Sequence, residues 1–144
     1  MSFLLGGSAD LIYDINVLLQ AAILIIILFA LHRKMKRKFV LHGNLMMFAL
    51  VLHLLLVFIV MIPSWLRYAG AVLSLPALGA VIIIHSVLGT AAAAMGIAII
   101  VAWKSTPAAK MGCMRRKRLM LPTALLWISS LVLGMVFYAI AYYF

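Results

Sequence analysis

Four histidines are the residues of this chain best suited to chemistry, and three of them sit in strongly apolar surroundings. His42 and His53 fall in "LHGNLMMFALVLHLLL" (residues 41–56), His85 in "VIIIHSVLG" (residues 81–89), and His32 opens the basic run "HRKMKRK" (residues 32–38). Neutral imidazole ligates haem iron and copper, and it can also relay protons. His42 and His53 are 11 residues apart. On a helix that is three turns plus about 20°, with roughly 16 Å of rise. They share a face but cannot share one metal atom. His42 therefore groups with His32 at one end of its helix, and His53 with His85, which lies at similar depth on a later segment.

The His53/His85 pair has three readings: a site for haem b or copper, an interhelical packing contact with no ligand, or a proton relay. Hydrogen bonds between membrane helices are worth only ~0.6 kcal/mol on average, so a bundle has little need of two matched histidines for packing alone. His32 and His42 form either a second, looser site or two ordinary helix-end histidines. Met46, one turn beyond His42, reads as packing, since Met fills core gaps readily. Asn16, Gln20, Ser129, Ser130 and Tyr138 extend a polar layer that lipid cannot satisfy, so these groups should point inward. Asp14 is either a carrier carboxylate or, one turn into its helix, a group that reaches the interface.

Several chemistries are excluded. The single Cys113 and the lack of any CxxC or CxxCH rule out an internal disulfide, covalent c-type haem and a thiolate zinc site. There is no P-loop, no HExxH and no placeable Ser-His-Asp set. No catalytic residues are assigned, and catalysis by this chain alone is not expected.

The elements that must position the histidines follow from composition. Of 144 residues 69% are hydrophobic and 10% charged, against about half and a quarter in soluble domains. A membrane-spanning helix needs roughly 20 mostly apolar residues. Four segments qualify, at about residues 11–31, 43–62, 78–103 and 119–143. Their apolar runs do not alternate as barrel strands would. The expectation is an all-α integral membrane four-helix antiparallel bundle forming a single domain over residues 1–144. The N-terminus has no basic residue before its apolar start, so the first span reads as retained rather than as a cleaved leader.

The net charge is +10, but the basic residues fall almost entirely in two runs beside apolar segments. That pattern argues for membrane orientation and lipid contact, not for nucleic acid. Residues 32–38 hold five Lys/Arg and residues 104–118 hold six, whereas residues 63–76 hold only Arg67. By the positive-inside rule both basic loops are cytoplasmic, and both termini and the 63–76 loop face outward. Trp65, Tyr68, Tyr142 and Tyr143 then fall at the outer interface and Trp103 at the inner one.

The C-terminal half carries "HSVLG" and "RRKRLMLPTALLWISSLVLGMVFYAIAY", with Arg115–Arg118, Pro122, Trp127, Gly134 and Tyr138 in order. Together with "HGNLMMFALVLHLLLVFIVMIPS" these segments resemble the small multi-pass membrane proteins grouped as domain of unknown function 420, over about residues 31–143. The resemblance implies a link to the maturation or function of haem–copper terminal oxidases, with histidines as suspected haem or metal ligands. It carries over most directly to His42 and His85, and less directly to His53 and His32.

Three functions are consistent with this reading. The first is a haem- or copper-associated assembly factor or subunit of a respiratory complex in the cell membrane. The second is a purely structural accessory subunit of a larger membrane enzyme, a terminal oxidase or copper monooxygenase, with no cofactor. The third is a small proton-coupled transporter using Asp14.

Overall fold

A computed structural model of the chain describes residues 11–74, 76–105 and 117–143. Among the described residues the regular elements are all helical: α1 (Leu11–Met35), α2 (Phe39–Leu56), a π-helical turn (Val57–Met61), α3 (Ile62–Leu73), α4 (Pro76–Lys104) and α5 (Lys117–Tyr143). Helix α2, the π turn and the start of α3 run on as one rod, so four helices are long and apolar enough to cross a membrane. The protein is a multi-pass membrane helix bundle. Asp10, Cys113, Arg115 and Arg116 lie outside the described residues, as do the side chains of Tyr68 and Tyr143.

Packing closes the rods into a ring, α1 on α2, α2 on α4, α4 on α5 and α5 on α1. Consecutive rods are antiparallel. Leu31, Phe39, Trp103 and Met120 gather at one end, and Tyr13, Met61, Ile82 and Tyr142 at the other. The core runs through the centre of the ring and includes Ile23, Ile27, Ala49, Leu50, Ala92, Trp127 and Leu131. Large apolar side chains such as Ile25, Phe58, Ile59 and Leu66 point outward and are mostly exposed. Surface of that kind is stable against lipid and not against water.

Two local features set the ends. Helix α1 closes in a Schellman motif: the Lys38 N–H donates to the Arg33 carbonyl and the Arg37 N–H to the Lys34 carbonyl. Arg37 takes the left-handed position at φ 58°, where glycine is usual. The tight reversal starts α2 at Phe39, well before the residue 43 expected from hydropathy.

The second feature corrects the expected loop at residues 63–76. Pro63 lacks an N–H, and its ring presses on the carbonyl four residues back. That combination commonly ends or kinks a helix. Instead the preceding turn widens: the Ile62 N–H reaches the Val57 carbonyl, five residues back. The π turn absorbs the proline, and Ile62–Leu73 continues as helix. The 29-residue rod Phe39–Arg67 rises roughly 43 Å, longer than the ~30 Å hydrocarbon core.

Candidate functional site

The α4–α5 seam is built by small residues in register. On α4, Gly89, Ala92 and Gly96 are buried, and on α5 Thr123, Trp127, Ser130, Gly134 and Tyr138 are buried. A β-carbon at Gly89 would stand 2.9 Å from Ser130 Oγ. That closeness lets two polar residues lock the helices. The His85 Nδ1–H donates to the Ser130 carbonyl at 2.8 Å, and the Ser130 hydroxyl donates to the His85 carbonyl at 3.1 Å. An imidazole that donates through Nδ1 keeps Nε2 as its acceptor or ligand atom.

His53 comes into the same layer from α2. Its ring is 1% exposed and stands edge-on to Trp127, centroids 5.5 Å apart and planes at 71°. Nε2 faces Gly89, where a β-carbon would lie 4.0 Å away. Neither ring nitrogen of His53 has a hydrogen-bond partner among the described residues, and neither does Trp127 Nε1. Buried polar atoms are rarely left unpaired, so this cluster is the least satisfied part of the core. The structure thus brings His53 and His85 together around the Gly89–Ser130 contact.

His42 repeats the pattern at the end of the 32–38 turn. Its Nδ1–H donates to the Ala30 carbonyl of α1 at 2.9 Å, and the buried ring lines a cavity of about 50 Å³ with Trp103 and Trp127. His32 is exposed and lines neither this cavity nor the larger one described below. His42 is buried where His32 is exposed, and the partner of His42 is a main-chain carbonyl that no sequence pattern marks. Among the described residues no three His, Cys, Asp or Glu side chains converge as a metal cage.

Two other expectations are corrected. Asp14 does not reach the interface: it is 0% exposed and accepts a hydrogen bond from the Tyr138 hydroxyl of α5. Ser129 is exposed rather than inward, one residue out of register with Ser130. Trp65 and Trp103 both make contacts within the bundle. The Trp65 Nε1–H donates to Ser86 Oγ at 2.9 Å, and Trp103 is buried over Gly43, whose β-carbon would stand 2.7 Å from the indole ring.

A cleft of about 330 Å³ opens at the other end of the bundle, between α1, the π turn with α3, α4 and α5. His85, Gln20 and Asn16 line its polar side, and Trp65, Tyr138 and Tyr142 its aromatic side. Gln20 is 3% exposed, and its Oε1 has no hydrogen-bond partner. Sequence reasoning placed Gln20 in the polar layer but not this cleft, because α3 was expected to be loop.

Gly134 sets how deeply Gln20 and His85 seat. A β-carbon there would stand 2.5 Å from Gln20 Oε1 and 2.8 Å from His85 Cε1. Overpacking costs ~1–3 kcal/mol, and replacing helical glycine returns ~0.8–1 kcal/mol. Gly134→Ala is therefore expected to lower stability by about 1 kcal/mol, and Gly134→Val by more. Both are measurable by detergent-driven unfolding followed by circular dichroism.

The chain matches no protein-family model, no curated protein and no solved structure.

Proposed function

We propose that the chain is a small accessory or assembly protein of a respiratory oxidoreductase complex in the cell membrane, associated with copper through its histidines. Both termini face outward and the basic loops face the cytoplasm, in keeping with the lysines and arginines of residues 32–38. One observation carries the reading: His85 is pinned through Nδ1 to the Ser130 carbonyl beside His53, whose ring nitrogens have no partner. Histidines that bind metals almost always anchor their other nitrogen in this way. His42, held by the Ala30 carbonyl, shows the same presentation.

The fit differs between the two candidate groups. A macrocycle between His53 and His85 does not fit, because Gly89 lies against Ser130 and Gly134 lies against Gln20 and His85. The glycines serve close helix contact rather than leaving a slot. A single copper ion suits the donor chemistry, since imidazole is a good copper ligand. His53 and His85 would hold it, and copper supplies one-electron chemistry or cargo for a larger enzyme. Two imidazoles leave the ligand set open, as a protein that shares or hands on its metal requires.

The purely structural subunit remains the second reading, favoured by the same filled layer. Elemental analysis and an absorption spectrum on the protein still in its native complex separate the two. The expected result is copper in proportion to chain, lost in His53→Ala and His85→Ala and kept in His32→Ala. A complex without copper would overturn the copper reading, and a Soret band that depends on these histidines would replace it with haem.

A further inference from the structure

The 330 Å³ cleft opposite the 32–38 turn calls for an occupant of definite chemistry. Its volume is at the low end of the ~300–1,000 Å³ typical of small-molecule sites. Its walls include Trp65, Tyr138 and Tyr142; Tyr138 and Tyr142 have centroids 5.1 Å apart, and Tyr13 stacks on Tyr142 at 6.0 Å. Aromatic surfaces of this kind favour a flat ring. At the polar side Gln20 is buried with an unpaired Oε1, an arrangement that costs free energy unless a ligand supplies the missing bond.

We propose that this cleft binds a lipid-soluble ring carrying a carbonyl or hydroxyl oxygen, the head-group chemistry of a membrane quinone, with the ring against the aromatic wall and the oxygen on Gln20. The hydroxyl of the reduced ring donates to the orphan Oε1 of Gln20, whereas the carbonyl of the oxidised ring can only accept from the amide N–H and leaves Oε1 unpaired. An acyl chain fills the walls but leaves Gln20 unsatisfied. A porphyrin exceeds the volume. Among the described residues a cation finds no uncommitted carboxylate, since Asp14 already accepts from Tyr138. The helices around the cleft are apolar and exposed on their outer faces, surface that suits the bilayer in which such a ring dissolves. This binding goes beyond the copper reading and needs no metal.

The test uses the full chain in lipid nanodiscs, treated with a chelator, and an azido-quinone photoprobe with decylubiquinone as competitor. Competitor-sensitive labelling is expected on the peptides carrying Trp65 and Tyr138. Ala69→Phe, which fills the cleft from α3, is expected to abolish it. Gln20→Leu removes the hydrogen bond and the orphan acceptor together, so it is expected to fold and to weaken competition roughly tenfold, or about 1.4 kcal/mol. Labelling spread over lipid-facing residues, indifference to both variants, or equal competition by a fatty acid would each overturn the proposal. Because the sample is chelated, failure here leaves the copper reading intact, and failure of the metal analysis leaves this one intact.

Discussion

Trp127→Ala is expected to lower the unfolding free energy by about 3 kcal/mol, the low end of the range for aromatic truncation in soluble cores. Trp127 is the largest fully buried side chain, 1% exposed. It stands over His53 on one side and reaches the 50 Å³ cavity beside His42 on the other. A membrane bundle gains little from moving apolar groups out of lipid, so the transfer part of the cost shrinks. The packing part remains, because the indole's neighbours lose their contact atoms. Deleting it would enlarge the small cavity toward the His53 ring. Trp127→Phe should cost less than about 1.5 kcal/mol, because it keeps most of the ring and removes an Nε1–H that has no partner. Detergent-driven unfolding of the three proteins gives the comparison. Equal losses for Ala and Phe would show that the indole N–H has a partner in the membrane and that the core is not held by ring volume.

Much of the bundle was legible because membrane helices confine polar and small residues to one face. On α2 the helical stripe His42, Met46, Ala49, His53, Leu56 is inward, with His42, Ala49, His53 and Leu56 buried. On α5 Thr123, Trp127, Ser130, Gly134 and Tyr138 are all buried as the 3.6-residue period requires. The pairing of His53 with His85 followed from depth alone. What sequence could not show was the fate of the backbone. The His85 and His42 anchors are the Ser130 and Ala30 carbonyls, and a carbonyl carries no residue identity. The helix past Pro63 is hidden for a related reason: proline marks a lost donor, and the π turn that absorbs the loss is a property of neighbouring backbone. The cleft stayed hidden with it, since its α3 wall was expected to be loop.

The largest coupling between distant parts of the chain is expected at Asp14 and Tyr138, 124 residues apart, where α5 closes the ring onto α1. Two magnitudes compete. Polar contacts between membrane helices average ~0.6 kcal/mol, because separated helices find other partners. Hydrogen bonds to charged groups in proteins are worth ~1.5–3 kcal/mol. Burial decides between them. Asp14 is 0% exposed in the bundle, yet it is the fourth residue of α1, so on a separated helix it reaches water. Assembly therefore strips the carboxyl of water, and the Tyr138 hydroxyl returns part of that loss. Tyr138→Phe leaves the stripped carboxyl without this donor and is expected to cost roughly 1.5–3 kcal/mol. Asp14→Leu removes the acceptor of this one contact and costs less, since a hydroxyl is cheaper to bury than a carboxyl group that has lost a donor. The double variant Asp14→Leu/Tyr138→Phe replaces both partners with apolar groups and should recover most of the stability, giving a coupling well above ~0.6 kcal/mol. Unfolding titrations of the four proteins measure it. Additive losses would mean that the contact does not hold the ring closed, and that α1 is fastened to α5 by packing alone.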